Sequence, residues 1–354
     1  MRPADLVAVQ PFMRLEDYGS EETFRTKIEG LLERVDAVRG AREGGRFPHP
    51  ALVVFPENIG TFLGIAGHFD IARRSRTTDG ALTRLLLRRL PELVRTMVRF
   101  RIRDPKRAAL VLLSRTVWPL YFRTFGELAR KHQAWIVAGS ALMARNRYGR
   151  DSQRYEPADG HAWNLSLTFD PDGWVVNETR KVNLVPTLED VLGLTPGRVE
   201  DLEPFDTALG RVGTMICYDG FNEPHTSREP HFRTVGAHYD QRQVRILAQP
   251  AANPWPWDER WFFAEPGEDQ LRREQWLNEG LCCQLAHLPH VRWAVNPQLL
   301  GQIFENRFDG RSYIFERTRR GQVRVLAEAR DYRLAPDSEE IVVARIDLDS
   351  PQPD

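Results

Sequence analysis

The sequence has few cysteines, few lysines and no long apolar run. Its 354 residues include three cysteines, Cys217, Cys282 and Cys283. Adjacent cysteines bridge only with strained geometry, so the sequence predicts no disulfide framework and favours a reducing compartment. No stretch of about 18 apolar residues occurs, so no membrane-spanning helix is predicted. The N-terminus has no apolar stretch with a small-residue cleavage site, so we expect no signal peptide and a cytoplasmic location.

The chain also lacks a net charge. Lys plus Arg equals Asp plus Glu at 49 each, which gives no argument for nucleic-acid binding. Hydrophobic residues make up 42% and charged residues 28%, as in a soluble globular protein that buries a sizeable core. Only four basic residues are lysines, namely Lys27, Lys106, Lys131 and Lys181. In a chain so rich in arginine, a lysine is a candidate for a role that arginine does not fill.

Short apolar strands alternate with helical stretches, which predicts a mixed α/β fold with a sheet covered by helices. Glu21–Arg39 and Tyr121–His132 have the apolar spacing of helices. Ala51–Phe55 is a continuous apolar run, typical of a strand buried on both faces. Further strands are predicted at Leu6–Gln10, Trp135–Ala138, Trp163–Phe169, Val212–Cys217, Ile246–Gln249, Arg292–Asn296, Ser312–Glu316, Val323–Glu328 and Ile341–Ile346.

The segment Leu82–Arg103 differs from the rest. Its apolar residues have helical spacing, and nine basic but two acidic residues lie between Arg84 and Arg107. This predicts a basic amphipathic helix, interrupted or kinked near Pro91. Three interpretations stay open: a helix facing the core or a dimer partner with a solvated arginine face, attachment of residues 82–107 to an anionic membrane surface, and a lid over an active site.

Three segments carry residues suited to covalent catalysis. Glu57 directly follows a buried strand, Lys181 lies in Arg-Lys-Val-Asn-Leu, and Cys217 ends a predicted strand. The ends of strands are where α/β sheets place reactive groups. A thiolate attacks, a desolvated carboxylate can take its proton, and an ammonium can stabilise an oxyanion. Alone, a cysteine after a strand is usually a buried structural thiol; together, the three residues form a complete set for acyl transfer from an amide.

These segments resemble those of a known family. FPE at 55–57, RKVNL at 180–184 and ICYD at 216–219 are similar, in order and spacing, to the three catalytic segments of the nitrilase-like carbon–nitrogen hydrolases. The resemblance covers about residues 1–60 and 120–330. Flanking segments resemble the family too: LVAVQ at 6–10, WIVAGS at 135–140, WNLSLTFDPDG at 163–173, ILAQPAANP at 246–254 and NRFDGRSYIF at 306–315.

The resemblance implies a four-layer αββα sandwich that assembles into homodimers or larger homo-oligomers. The chain would form one carbon–nitrogen hydrolase domain over residues 1–345. Residues 62–118 would be a helical insertion within that domain, and residues 346–354 a polar C-terminal tail.

The resemblance also implies roles for individual residues. Cys217 would be the nucleophile, Glu57 the general base and Lys181 the oxyanion stabiliser. Glu189 falls where members often have a second glutamate, which would orient the lysine or the substrate nitrogen. The backbone N–H of Tyr218 would bind the oxyanion.

Other residues near the expected pocket have less defined roles. Asn253, in the Pro-Ala loop beside the cysteine, is a candidate contact of the substrate or oxyanion. The aromatic residues of Asn253–Arg260 line the pocket or pack the loop, and the sequence does not separate these possibilities. The spacing of His225, His231 and His238 matches no metal motif, and we expect them in a surface loop. Neither a metal nor a cofactor is predicted.

The predicted substrate is a small linear amide or carbamoyl compound. The Cys-Tyr-Asp context resembles amidase branches of the family more than branches acting on nitriles, in which Trp-Glu more often follows the cysteine. Hydrolysis of the amide would proceed through a thioester on Cys217. Nitrile hydrolysis stays an alternative, as does N-acyl transfer from this thioester to an amine at a membrane surface. A non-enzymatic interaction module is a third alternative, against which the intact Cys–Glu–Lys set argues.

Overall fold

A computed structural model of the chain describes residues 1–264 and 267–354. The strands in these ranges are β1 (Pro3–Gln10), β2 (Phe12–Arg14), β3 (Ala51–Val54), β4 (Trp135–Val137), β5 (Ala141–Met143), β6 (Trp163–Phe169), β7 (Val175–Arg180), β8 (Phe205–Thr207), β9 (Gly210–Thr214), β10 (Ile246–Ala248), β11 (Trp293–Asn296), β12 (Leu300–Ile303), β13 (Asn306–Phe308), β14 (Tyr313–Arg317), β15 (Val323–Glu328) and β16 (Glu340–Asp347). The helices are α1 (Glu21–Arg39), α2 (Phe69–Arg73), α3 (Thr78–Arg88), α4 (Leu90–Phe100), α5 (Pro105–His132), α6 (Gly236–Gln241), α7 (Arg272–Glu279) and α8 (Leu281–Ala286).

Two large sheets form the centre of the molecule. The first has seven strands in the order β16-β1-β3-β4-β6-β5, with β7 also paired to β6. The second has six strands in the order β15-β14-β11-β10-β9-β8, and a small third sheet joins β13, β12 and β2. The inner strands β1, β3 and β4 are parallel, as are β9, β10 and β11. Parallel neighbours need long crossover connections, which explains the alternation of strands with helical stretches along the sequence.

The side chains of β1 show how the layers pack. Successive side chains of a strand point to opposite faces. Leu6 and Ala8 pack in a cluster with residues of the second sheet such as Ile246. Val7 packs in a different cluster, with Phe24 of α1 and with residues of α5. On the far side, β10 packs against α6 and α8. The layers are therefore helices, sheet, sheet and helices, and the predicted α/β fold is confirmed; oligomer formation stays a prediction.

Helix α1 has the bounds predicted from the sequence. The side chain of Ser20 accepts a hydrogen bond of 3.1 Å from the backbone N–H of Thr23, which caps the N-terminus and contributes about 1 kcal/mol. Its apolar stripe is buried against the first sheet. The helix stops before Gly40, whose φ of 94° a residue with a Cβ would not readily adopt.

Helix α5 is longer than the sequence indicated. It begins after Asp104, whose side chain accepts a 2.9 Å hydrogen bond from the backbone N–H of Lys106, and it continues through Pro119. The helix predicted from Tyr121 is therefore only its last part. The end predicted for the insertion, at residue 118, falls inside α5. The limits 1–345 and 62–118 stay predictions.

The basic segment forms two helices rather than one. α3 ends at Arg88 and α4 begins at Leu90, with Pro91 in its first turn, where a missing N–H costs nothing. The predicted interruption near Pro91 is confirmed. Among the described residues, no helix combines the length and apolar character that crossing a membrane requires.

The C-terminal strand extends into the predicted tail. β16 pairs with β1 as far as Asp347, opposite Pro3, and Leu348 is buried between the sheets. The polar tail predicted at 346–354 thus includes two residues of β16 and a core residue.

Candidate active site

Three strand ends bring the predicted catalytic residues to one cavity. Glu57 lies three residues beyond β3, Lys181 follows β7 directly, and Cys217 lies three residues beyond β9. The first two strands belong to one sheet and the third to the other. Glu57, Lys181 and Cys217 are only 2%, 1% and 5% exposed, and all three line the same cavity. The structure therefore brings together residues that are up to 160 positions apart in the sequence.

The ammonium of Lys181 lies between two carboxylates. Its Nζ is 2.7 Å from Oε1 of Glu57 and 2.6 Å from Oε2 of Glu189. Glu189 also accepts a 2.9 Å hydrogen bond from the backbone N–H of Val185, which fixes the loop after β7. A buried ammonium needs such counter-charges. The position predicted for Glu189, next to the lysine, is the one observed.

Asn164 completes this arrangement, and sequence reasoning missed it. It lies on β6, and its Nδ2 donates hydrogen bonds of 2.8 Å to both Glu57 and Glu189. Its backbone carbonyl accepts the N–H of Lys181 at 2.9 Å. Asn164 therefore positions all three charged side chains. Only its place in the predicted strand 163–169 hinted at this, because a strand residue gives no sign of which loops reach it.

The backbone at Cys217 adopts a conformation that few residues with a side chain adopt. Its φ is 47°, in the left-handed region, at the start of a short helical turn. Its N–H donates to the carbonyl of Pro250 at 2.8 Å, and its carbonyl accepts from Nε2 of Gln249 at 2.7 Å. Strained backbone of this kind clusters at functional sites. Here it turns the thiol from the end of β9 toward the cavity.

Asp219 ties the cysteine segment to the lysine segment. Its carboxylate accepts backbone N–H groups of Val182, Asn183 and Ile216 at 3.1, 2.7 and 3.2 Å. Burial raises the pKa of Asp219 to about 7, although these hydrogen bonds and Lys181 oppose the rise. The ICYD segment contained this residue, but the sequence could not show that it holds Lys181 in place.

Burial controls proton affinity in the site. It raises the pKa of Glu57, against the opposing effects of Lys181 and of a hydrogen bond from the Cys217 thiol. Burial and the Glu57 charge raise the pKa of Cys217. Burial opposes ionisation of Lys181, but Glu189 and Glu57 raise its pKa well above 10.5. The resting site therefore holds a neutral thiol, a charged lysine and a carboxyl group that gains a proton more readily than one in water.

The two residues predicted to contact substrate or oxyanion differ in position. The side chain of Tyr218 is not part of the cavity lining, and its hydroxyl donates to Glu229 at 2.8 Å. Within the described ranges no partner accepts its backbone N–H, which is the group expected to bind an oxyanion. Asn253 was expected at the substrate, but it is fully buried outside the cavity lining, so that expectation is corrected. Its Nδ2 instead donates to the backbone carbonyl of Asp309, and its Oδ1 accepts a hydrogen bond of 2.8 Å from Nε of Arg272.

His225 does not lie in a surface loop as expected. It is buried, lines the cavity and stacks on Tyr218 with ring centroids 3.9 Å apart. Burial, with Arg272 and Lys181, holds its pKa well below 6.5, so the ring is neutral. Apolar and aromatic neighbours explain its burial, which the spacing of the histidines could not indicate. Among residues 1–264 and 267–354, no three His, Cys, Asp or Glu side chains form a candidate metal site.

Aromatic residues of the 253–260 loop serve both purposes that the sequence left open. Trp255 lines the cavity, whereas Trp257 packs in the core beneath it. The guanidinium of Arg272 lies 3.8 Å from the ring centroid of Trp261 and 5.0 Å from that of Trp255. Burial lowers the pKa of Arg272 to about 9. Trp255 and Arg272 both line the cavity, and the stacked aromatic rings hold the cation in place there.

Comparisons with known proteins relate part of the chain to a known family. Residues 50–224 match the family model for "Carbon-nitrogen hydrolase". The nitrilase and fragile histidine triad fusion protein NitFhit of Caenorhabditis elegans is 33% identical, in a match that covers 28% of this chain and only 22% of that relative.

Solved structures show the same fold. The carbon–nitrogen hydrolase from Helicobacter pylori G27 has a TM-score of 0.56 at 17% identity, over 98% of this chain and 89% of that chain. A mutant of the amidase from Nesterenkonia sp. AN1 has a TM-score of 0.56 at 13% identity, over 98% and 90% of the two chains. That structure shows covalent addition of the acetamide moiety of fluoroacetamide at the active-site cysteine. At these identities the likeness is one of fold.

Proposed function

The chain belongs to the carbon–nitrogen hydrolase family, and from that premise we propose that it hydrolyses a linear amide or carbamoyl compound to an acid and ammonia or an amine. One observation carries the proposal: a buried ammonium, held by two carboxylates, faces the same cavity as a thiol. Such a set supplies a nucleophile, a base and an oxyanion partner among side chains that are buried from bulk solvent.

The first half of the reaction forms a thioester. Glu57 takes the proton of the Cys217 thiol as the sulfur attacks the carbonyl carbon of the amide. The ammonium of Lys181 and the N–H of Tyr218 stabilise the oxyanion, since preorganised donors act most strongly where charge develops. The tetrahedral intermediate then expels the nitrogen, which receives the proton from Glu57 and leaves as ammonia or an amine.

The second half releases the acid. Glu57 takes a proton from water, and the hydroxide attacks the thioester carbonyl, which again places negative charge beside Lys181. The carbon–sulfur bond breaks, and the sulfur regains a proton from Glu57. Glu189 and Asn164 do not react in this scheme; they position Lys181 and Glu57 through the contacts described above.

A panel of amides, carbamoyl compounds and nitriles tests this proposal. Purified protein should release ammonia from at least one amide, and intact-mass spectra during turnover should show an acyl adduct that is absent when Cys217 is replaced. Adducts formed only from nitriles would favour the nitrile alternative. No adduct and no ammonia across the panel would refute the hydrolase proposal.

The pH dependence should report the state of Glu57. A base must be ionised, and burial raises the pKa of this carboxyl above 4.5. As pH falls through the raised pKa, Glu57 gains a proton and kcat/KM is lost, so the acid limb of the profile should lie above 4.5. The measurement is kcat/KM against pH, with tryptophan fluorescence confirming that the protein stays folded. A profile that is flat down to about pH 4 would contradict the role of Glu57.

N-acyl transfer at a membrane surface is a second candidate, favoured by an exposed apolar stripe. The stripe consists of Leu87, Leu90, Val94 and Val98, which are 66%, 48%, 49% and 73% exposed. Their spacing of three and four residues puts Leu90, Val94 and Val98 on one face of α4, with Leu87 at the end of α3. Exposed arginines lie on the same two helices or directly after them, namely Arg84, Arg88, Arg95, Arg99 and Arg101. Arg88 and Arg99 form ion pairs with Asp70 and Glu156.

The positive charge around this stripe favours one of two possible binding partners, a second copy of the protein or a lipid surface. A second copy that presented the same arginines across a two-fold axis would be repelled. An anionic lipid surface attracts them, at about 1 kcal/mol per basic residue. We therefore propose that the stripe contacts anionic membranes.

Liposome co-sedimentation tests the contact. The protein should pellet with vesicles that contain anionic lipid but not with neutral vesicles, and a Val94→Asp/Val98→Asp variant should stay in solution because it puts charge into the lipid interface. Val325→Asp is the matched control, since Val325 is 47% exposed on β15, away from the stripe. Equal binding by all variants would refute the contact.

A further inference from the structure

Apolar side chains from the segment between β3 and β4 form part of the wall of the cavity that reaches Cys217. Leu82 and Leu85 reach it from α3, and Leu110 and Leu113 reach it from α5. Leu188, from the loop that carries Glu189, lies on the same wall. Sequence reasoning left the role of the inserted segment open, whereas the structure makes it a boundary of the reaction site.

The size of the cavity exceeds what the reaction requires. It measures about 390 Å³, within the range of roughly 300–1,000 Å³ typical of pockets for drug-sized ligands. The reacting group is only a carbonyl carbon with its oxygen and nitrogen. The remaining space must therefore be filled by the rest of the substrate or by water, and water in an apolar cavity finds few hydrogen-bond partners.

The lining of the cavity also includes charged residues. Glu57, Lys181 and Glu189 surround the thiol and are engaged with one another. Asp79, Lys106 and Glu305 are exposed residues of the lining. The leucines offer no partner for a polar group, and a polar group buried there without a partner would be disfavoured.

Arg272 raises the alternative of a substrate with a carboxylate. It is buried and lines the cavity, and the hydrogen bonds described for its guanidinium go to the side-chain amides of Asn253 and Gln275 rather than to a carboxylate. Its cation is nevertheless satisfied by stacking on Trp261 and Trp255 and by hydrogen bonds to Asn253 and Gln275. These contacts favour a role in holding the aromatic rings, and the apolar surface then decides the substrate class.

We propose that the substrate is an amide with an apolar acyl group of several carbons, and that the leucines of α3 and α5 bind this group. The inference rests on the proposed hydrolase function. The carbonyl carbon lies at Cys217, and the acyl chain extends along Leu85 and Leu110. The inserted segment then sets the preference for chain length, while the strand ends supply the chemistry.

A homologous series of primary amides tests the inference. The value of kcat/KM for ammonia release should rise from acetamide through butyramide and hexanamide to octanamide, by up to about fourfold per methylene, the factor expected for burying one CH2 group. The monoamide of adipic acid, matched in length to hexanamide, tests for a carboxylate subsite. A flat series, or a preference for the carboxylated amide, would overturn the inference while leaving the hydrolase proposal intact.

Two leucines of α5 provide a matched pair of variants. Leu110 and Leu120 are both partly buried, but only Leu110 lines the cavity. Leu110→Trp should lower the octanamide-to-acetamide ratio of kcat/KM by at least about tenfold, because the indole occupies space for at least two methylenes. Leu120→Trp should keep the wild-type ratio. Leu110→Ala, which carries less risk to folding, should lower the ratio as well by removing contacts. If the octanamide-to-acetamide ratio were equal in all variants, the acyl chain of the substrate would not bind along Leu110.

A binding measurement separates the two proposals. Octanamide should raise the Tm of the wild-type protein, acetamide at the same concentration should raise it less, and Leu110→Trp should lose the octanamide shift. A retained shift without ammonia release would refute the hydrolase and leave the apolar site standing. Ammonia release without any difference between the amides would refute only the apolar site.

Discussion

Replacing Cys217 by alanine is expected to lower ammonia release by at least about four orders of magnitude. Catalytic residues of this kind act together, so removing the nucleophile alone abolishes most of their combined effect. Without sulfur, no covalent bond to the acyl carbon forms, and Glu57 and Lys181 retain no partner in the reaction. The measurement is kcat/KM on the best amide of the panel, together with the mass spectrum, in which the acyl adduct should vanish.

The fold should survive this change, which makes the result interpretable. Alanine at a φ of 47° is strained to much the same degree as cysteine, because both carry a Cβ. The variant should keep a Tm close to that of the wild type. Cys282→Ala is the matched control, since Cys282 is a free and partly buried cysteine of α8 outside the cavity lining. Activity of Cys217→Ala within tenfold of wild type would refute covalent catalysis by this residue.

The three reactive residues could be predicted because each lies in a short local pattern. Glu57 and Cys217 follow strands, and strand ends converge in an α/β sandwich. Lys181 stood out because lysine is rare in this chain. Their convergence in one cavity is observed, while their catalytic roles stay predictions that the proposed variants test.

The residues that position them could not be predicted in the same way. Asn164 and Asp219 act through hydrogen bonds to groups 107 and 37 residues away. Asparagine in a strand and aspartate after a cysteine are ordinary residues until the three-dimensional partners are known. Asn253 shows the converse error: a polar residue beside the expected pocket was assigned to the substrate, but neighbouring loops and Arg272 use its hydrogen-bonding groups.

The extent of α5 was missed for a different reason. The helix over Tyr121–His132 was predicted from its apolar spacing alone, and Pro119, which lies inside the observed helix, removes one backbone donor there and usually interrupts a helix. Packing of residues on both sides of Pro119 in the core, such as Trp118 and Tyr121, offsets this cost. The continuous helix links the cavity wall at Leu110 to the helical layer over the first sheet.

Exchanging Lys181 for arginine should lower kcat/KM by roughly 10²–10³, the loss typical of one oxyanion donor, although the positive charge is kept. Lys181 offers a single nitrogen that lies 2.7 Å from Glu57 and 2.6 Å from Glu189, in a site where it is 1% exposed. A planar guanidinium is larger and spreads its donors over three nitrogens, so it cannot keep both short contacts and still point a donor at the oxyanion. Overpacking should also lower the Tm.

The same substitution at Lys131 is the control for this change. Lys131 forms an ion pair with Glu29, and its side chain is 51% exposed, so a guanidinium fits there without repacking and activity should be unchanged. If Lys181→Arg were as active as Lys131→Arg, the ammonium would not be the oxyanion donor, and the mechanism would need another donor in its place. If Lys181→Arg lost activity but formed the acyl adduct at the normal rate, Lys181 would act only in hydrolysis of the thioester. The rate of adduct formation and the steady-state rate of acid release, measured on both variants, distinguish these outcomes, because ammonia leaves as the thioester forms whereas the acid leaves only when the thioester is hydrolysed.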